Sequence, residues 1–165
     1  MGKNVIVGQS GGPTAVINSS LAGVYQTAKS LGAGMVYGMQ YGIEGLLKAQ
    51  VIPLDAVLKT SMDIELLKRT PASYLGSCRY KLPDADKDPE VYRRLFHTFD
   101  RLDIGACFYI GGNDSMDTIA KLSAWGEKAG SPIRFIGVPK TIDNDLELTD
   151  HTPGFGSAAK YIVTI

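Results

Sequence analysis

The stretch ACFYIGGNDS, residues 106–115, changes character at a single point. Its first five residues, apolar or aromatic, read as a buried strand; Gly111-Gly112 ends it, and a helical stretch follows over 114–129. The same plan occurs twice more. VIVGQSGG at 5–12 runs from a β-branched strand (3–8) into Ser10-Gly11-Gly12, then into a helix from about Ala15 to Ser30. At 133–145 the strand IRFIGV runs directly into PKTIDND. Strands alternating with helices fold as a parallel sheet built from right-handed crossovers. The expected fold is therefore an α/β three-layer sandwich around a mainly parallel, Rossmann-like sheet. In open sheets of this kind ligands bind beyond the carboxyl ends of the strands, where the three loops would converge on one site.

The rest of the chain fills in around this frame. Val16, Leu21, Val24, Ala28 and Leu31 fall near one face of the first helix. A second strand fits 34–39, and two short helices fit 53–69. Residues 81–89 form a solvated loop with proline near each end. Val91, Leu95, Phe99 and Leu102, spaced by three and four, predict an amphipathic helix over 89–102. The last segment, FGSAAKYIVTI, reads as a helix from Ser157 that stays apolar to the final residue without a polar stop. The expectation is a piece of a longer protein, with residues 1–165 forming one domain of it.

Composition removes several classes. Seventeen basic and seventeen acidic residues balance, which argues against a general nucleic-acid binder or a polybasic membrane-surface protein. With 44% hydrophobic and 21% charged residues the chain has the balance of a folded domain. No apolar run approaches the ~18–20 residues that span a bilayer, and the start is too short in aliphatics for a signal peptide. Met1-Gly2 is followed at position 6 by Ile6, where a myristoylation motif has Ser or Thr. Cys78 and Cys107 make neither a C-x-x-C nor a disulfide scaffold. The expected location is the cytoplasm.

The three loops hold the candidate chemistry. No G-x-x-x-x-G-K-[ST] phosphate loop is present. Residues 154–159, GFGSAA, match G-x-G-x-x-A, but TDHTP precedes them instead of a strand, so a dinucleotide site fails on context. Ser10-Gly11-Gly12 stands between a strand and a helix, where free amides and the helix dipole favour an anion; a tight turn is the plainer alternative. Gly111-Gly112-Asn113-Asp114-Ser115 repeats the arrangement with a carboxylate that could equally be a helix cap. Lys140, Thr141, Asp143, Asn144 and Asp145 bring a cation, a hydroxyl, two carboxylates and an amide within six residues. In an extended loop Asp143 and Asp145 would share a face, opposite Ile142 and Asn144. Paired carboxylates suit Mg²⁺ or a proton to be moved; a solvated turn is the alternative.

SGG after the first strand, LGSCR at 75–79, GGNDS at 111–115, PKTIDND at 139–145 and DHTPGFGSA at 150–158 stand in the order and spacing of one family. Over essentially all 165 residues the chain resembles the N-terminal portion of a phosphofructokinase, specifically the pyrophosphate-dependent kind. The resemblance implies a phosphofructokinase-like fold and a phosphoryl transfer to the 1-hydroxyl of fructose 6-phosphate. Asp143 matches the general base that takes the hydroxyl proton. Thr141 and Ile142 would contact the same end of the sugar phosphate. Gly11, Gly12, Gly112, Asn113 and Ser115 would line the donor phosphates, and Arg79 would neutralise the transferring group.

Two positions bear on the donor. Family members using ATP have glycine where this chain has Asp114 and Lys140, whereas those using pyrophosphate have aspartate and lysine. A carboxylate at the place of a nucleotide's α-phosphate repels it, and an ammonium beside the transferred phosphoryl replaces positive charge. The rivals are an ATP-dependent 6-phosphofructokinase and a non-catalytic regulatory subunit, the latter disfavoured by the retained Asp143.

The implied cofactor is Mg²⁺, with Asp145 and Asn113 near it. Asn113 departs from the aspartate common in the family and brings no charge. Effector-site arginines of regulated members match Ala22 and Gln26, so nucleotide-effector control is not expected. The sugar's 6-phosphate is gripped in the family by residues of the second half, some from a neighbouring subunit, which implies a homo-oligomer, dimer or tetramer. Cys78, His97 and His151 are expected to be spectators, apart from an orienting role for His151 in its loop.

Overall fold

The computed structural model describes residues 2–14 and 16–165. Its elements run β1 (Asn4–Gln9), α1 (Ile17–Ser30), β2 (Val36–Met39), α2 (Gly42–Leu47), β3 (Val51–Pro53), a 3-10 turn (Leu54–Ala56) and α3 (Ser61–Arg69). They continue with α4 (Pro89–Arg101), β4 (Ile104–Gly111), α5 (Asn113–Lys128), β5 (Arg134–Pro139) and α6 (Phe155–Thr164). The sheet order is β3-β2-β1-β4-β5, with β1 parallel to both β2 and β4, and β4 parallel to β5.

Strand alternation sends β1 side chains to two separate cores. Val5 and Val7 join Leu21, Tyr25, Leu67 and Ile110 under α1 and α3. Ile6 joins Cys107 and Tyr109 beneath Phe96, Phe99 and Leu122 of α4 and α5. Helices therefore cover both faces, and the expected three-layer α/β sandwich is the observed architecture.

Local chemistry sets several boundaries. The Asp88 side chain accepts from the Val91 N–H and Pro89 opens α4, where its missing N–H costs nothing. Thr60 and Asp63 form a reciprocal capping box on α3. Of the two helices expected over 53–69, the first is only the 3-10 turn.

α2 and β3 are additional to the sequence reading. α2 has six residues, two of them glycine, and enters through left-handed Tyr41 and Gly42 (φ 55° and 57°). β3 has three residues and pairs antiparallel with β2, making the sheet mainly rather than wholly parallel. Both are too short for periodicity to register.

The buried face of α1 is also turned from the one expected. Ile17, Asn18, Leu21, Ala22, Tyr25 and Ala28 face inward, and Leu31 lies past the helix end, 82% exposed. Ala15, where that helix was expected to begin, lies outside the described residues.

Candidate active site

The carboxyl ends of β1, β4 and β5 are tied together one residue beyond the ladder. The Ser10 N–H donates to the Ile110 carbonyl (2.9 Å), and the Lys140 N–H donates to the Gly111 carbonyl (2.9 Å). Three loops therefore leave the sheet side by side. Gly111 is required for this: a Cβ there would stand 2.0 Å from Ser115 Oγ and 2.8 Å from the Ser10 carbonyl. A fourth segment is laced on from outside the sheet. The Cys78 carbonyl accepts from the Gly11 N–H (3.2 Å) and the Ser10 hydroxyl (3.4 Å), and the Ser77 hydroxyl donates to the Gly11 carbonyl.

These segments enclose a polar cavity of about 370 Å³. Gly11, Gly12 and Arg79 form one side of its wall; Gly112, Asn113, Asp114 and Ser115 form another; Lys140, Thr141 and Asp143 close it. Ten sequence-predicted residues are thus brought together. Ile142 is not among them, its side chain being 49% exposed outside the lining. Asp145 is one step removed, accepting from the Asn113 Nδ2 (2.9 Å). Asp143 and Asp145 do not share a face of an extended loop as expected. Asn144 is left-handed (φ 55°), so the chain turns between them.

That turn is held from within. Asn144 Oδ1 accepts from the Thr152 N–H (2.9 Å), and its Nδ2 donates to the Asp150 carbonyl (3.1 Å). Thr152 Oγ1 donates to the Thr141 carbonyl (2.9 Å), and the Asp143 N–H donates to Thr141 Oγ1 (3.0 Å). The 150–154 segment therefore straps the loop carrying Asp143. Gly154 begins α6 behind this strap and follows no strand, in keeping with the failed dinucleotide context.

The helix bordering the cavity is α5, not α1. Asp114 lies in its first turn, but the N-cap is Gly112 and no side chain caps the helix. The alternative of Asp114 as a cap is thereby removed, and the opening amides of a 16-residue helix remain for an anion. Gly12 has an equally open aspect, since a Cβ built on it meets no atom of the described residues within 4 Å.

Lys140 is only 5% exposed, and its ammonium donates to the Gly12 carbonyl. Burial pushes its pKa below the ordinary lysine value, and the Asp143 carboxylate pulls it partly back. The cavity therefore presents Arg79 and Lys140 against Asp114 and Asp143, with amides between them.

Among the described residues no three His, Cys, Asp or Glu side chains group as a metal site. Asn113 with Asp145 is the one pairing of the predicted metal residues. A carboxylate and an amide oxygen suit Mg²⁺ when substrate phosphates and water supply its other oxygens.

Ser10, read with Gly11 and Gly12 as an anion-site candidate, lines the cavity, and so does Cys78, expected to be a spectator; Tyr80 lines it too and escaped the sequence reading, since no spacing marks an aromatic that merely follows Arg79. Cys78 is buried, with its sulfur 3.7 Å from the Tyr109 hydroxyl. His97 is exposed on α4, and His151 tilts against Phe155 (5.9 Å between ring centroids). A larger groove of about 490 Å³ beside α1 is walled by Val5, Val24, Leu31 and Phe108, with Lys3 its one charged residue. It lacks the convergent polar groups of a reaction site.

Comparison with known proteins follows the same outline. The chain is 46% identical over 162 residues to the pyrophosphate–fructose 6-phosphate 1-phosphotransferase of Methylococcus capsulatus, and 47% identical over 163 residues to that of Halomonas elongata. These matches cover 97% and 98% of this chain and 38% of each relative, so the chain spans under two fifths of the curated relatives' length. The crystal structure of a pyrophosphate-dependent phosphofructokinase from Nitrosospira multiformis superposes with a TM-score of 0.90 at 44% identity, covering 98% of this chain and 40% of that one. The Phosphofructokinase family model matches residues 4–165, which takes in every loop of the cavity. The chain belongs to the phosphofructokinase family.

Proposed function

We propose that the chain forms the donor-phosphate half of a pyrophosphate–fructose 6-phosphate 1-phosphotransferase. The observation that carries this reading is the convergence of Asp114, Lys140, Asp143 and Arg79 on one polar cavity at the carboxyl ends of three parallel strands. Pyrophosphate sits among the amides of Gly11, Gly12 and the α5 N-terminus, with Arg79 and Lys140 balancing its charge. The sugar 1-oxygen attacks the terminal phosphorus, the bridging P–O bond breaks, and phosphate leaves. Asp143 accepts the hydroxyl proton as the new bond forms, and Thr141 Oγ1, accepting from the Asp143 N–H, holds that residue's backbone in place. The transfer is reversible because the bonds made and broken are similar in energy.

Mg²⁺ is part of the proposal. Asp145 and the Asn113 amide oxygen would hold it together with donor phosphates, and it would neutralise developing charge. The Asn113 Nδ2 bond to Asp145 would orient that carboxylate. The reading includes a cytoplasmic homo-oligomer in glycolysis, a dimer or tetramer, with no nucleic-acid or membrane partner. Balanced charge supports this, as does the finding that no helix among the described residues is long and apolar enough to cross a membrane.

The test is initial rates of the full-length gene product with fructose 6-phosphate and Mg²⁺, comparing pyrophosphate with ATP. Pyrophosphate is expected to be the donor, and changing both Asp114 and Lys140 to glycine is expected to lower its kcat/KM by about 100- to 1,000-fold. ATP preference would assign the ATP-dependent activity instead. Silence with both donors would favour a regulatory subunit.

A further inference from the structure

Gln9 and Asn18 do not line the cavity, yet both are buried, at 0% and 1% exposure. Gln9 Nε2 donates to the Ile17 carbonyl (3.1 Å) and to Asn18 Oδ1 (2.9 Å). Its Oε1 accepts from the Leu75 N–H (2.9 Å) and is within reach of the Ser73 hydroxyl (2.9 Å), whose single proton is shared with the Gly76 carbonyl (2.7 Å). Asn18 Nδ2 donates to the carbonyls of Thr70 (2.9 Å) and Ala72 (2.8 Å), and its Oδ1 also accepts from the Tyr74 N–H (3.0 Å). Two primary amides can together make eight hydrogen bonds, counting each end of their mutual bond, and here every position has a partner, one of them through the proton that Ser73 shares with Gly76. The backbone N–H groups of Tyr74 and Leu75 fix which end of each amide is oxygen.

Apart from the Ile17 carbonyl and the mutual bond, the groups served belong to one segment. Residues 70–75 have neither helix nor strand, and Ala72 is left-handed (φ 63°), so this stretch has no ladder of its own. The amide pair takes the place of secondary structure. The chain then continues through Ser77 and Cys78, which are laced to Gly11, and delivers Arg79 to the cavity. Gln9 itself immediately precedes Ser10-Gly11-Gly12. One buried amide thus holds both the loop that presents donor-facing amides and the strap that brings the guanidinium.

We propose that Gln9 and Asn18 are positioning residues for donor binding, setting the register of the 70–79 strap against the 10–12 loop so that Arg79 meets pyrophosphate. This rests on the reading of Arg79 as a donor ligand. A half-satisfied buried network is costly, so Gln9→Met risks misfolding. Ser73→Ala is the milder variant, removing the hydroxyl that joins Gln9 to the Gly76 carbonyl of the strap.

The experiment measures pyrophosphate Kd by titration calorimetry, KM for both substrates and Tm, in the full-length gene product and in an Arg79→Ala background. Ser73→Ala is expected to weaken pyrophosphate binding by roughly 10- to 100-fold, the scale of a misplaced ligand group. The fructose 6-phosphate KM should stay within about twofold, and the effect should vanish once Arg79 is alanine, as coupling through that residue requires. A lowered Tm with unchanged pyrophosphate Kd, or the same fold-loss in both backgrounds, would overturn the proposal and leave the network a purely structural one. If Arg79→Ala alone leaves pyrophosphate Kd unchanged, the donor-ligand reading fails first and takes the proposal with it.

Discussion

Gly12 and Gly111 are neighbours of the same cavity, yet glycine is needed at them for different reasons. At Gly111 the protein's own atoms leave no room for a methyl group. At Gly12 no atom of the described residues stands within 4 Å of a Cβ, and φ lies outside the left-handed range, so an incoming ligand is what would meet it. Gly12→Ala is therefore expected to leave thermal stability unchanged, or to raise it by up to ~1 kcal/mol through the unfolded chain. The same substitution should raise the pyrophosphate KM by roughly 10- to 100-fold. Gly111→Ala is expected to cost about 1–3 kcal/mol from overpacking. Thermal unfolding and steady-state kinetics on the two variants separate these effects; an unstable Gly12→Ala would sink the ligand argument. Both glycines are visible in sequence, but the reason for each is spatial. Asp114 is a similar case. From its position alone it could be a helix cap, and only the geometry of α5, capped by Gly112, removes that role.

At the scale of elements, the strand-to-loop junctions were legible because buried strands and glycine-rich turns differ so sharply in composition. α4 was legible too, since the spacing of Val91, Leu95, Phe99 and Leu102 marks it, whereas its Asp88-Pro89 start reads as loop. The α1 face was misjudged because Val24 and Leu31 are apolar on a helix that also buries the polar Asn18. Another joint the sequence does not announce lies at Asp55. Its carboxylate accepts from the Val36 N–H (2.8 Å) and pairs with Lys29 (2.7 Å), joining the 3-10 turn to β2 and α1. Burial pushes its pKa up, but the Lys29 and Val36 bonds outweigh this and the net shift is downward. A lowered carboxylate pKa contributes stability at neutral pH that is lost as pH falls from the ordinary value of ~3.9 through the lower native one. Asp55→Ala should cost about 2 kcal/mol at neutral pH, the scale of hydrogen bonds to a charged group. The gap to the parent should close in acid. Urea unfolding at both pH values checks it; a gap that persisted in acid would mean packing, not ionisation, is responsible.

For the molecule as a whole, the cavity is walled by the sheet loops and the segment bearing Arg79, while α6 buries none of its residues. Tyr161, Ile162 and Val163 are 65%, 71% and 85% exposed, and β5 is a half-covered edge strand. The relatives are more than twice as long. We expect these 165 residues alone to bind pyrophosphate without turning over fructose 6-phosphate, and to self-associate through the apolar α6 surface as concentration rises. Calorimetry, a turnover assay and sedimentation velocity test this. Turnover by the isolated chain would overturn the first expectation, and a monomer at high concentration the second. The amino-acid sequence by itself determined the layer architecture and the three polar loops, because hydrophobic period and loop chemistry are local properties written in consecutive residues; the family followed from the resemblance carried by five motifs. Only the tertiary structure decided that Ile142 faces away, that Asp145 reaches Asn113 rather than the cavity, and that Gln9 and Asn18 hold the strap bearing Arg79. Those facts depend on a left-handed turn and on hydrogen bonds between residues as much as 66 positions apart, which no local pattern encodes.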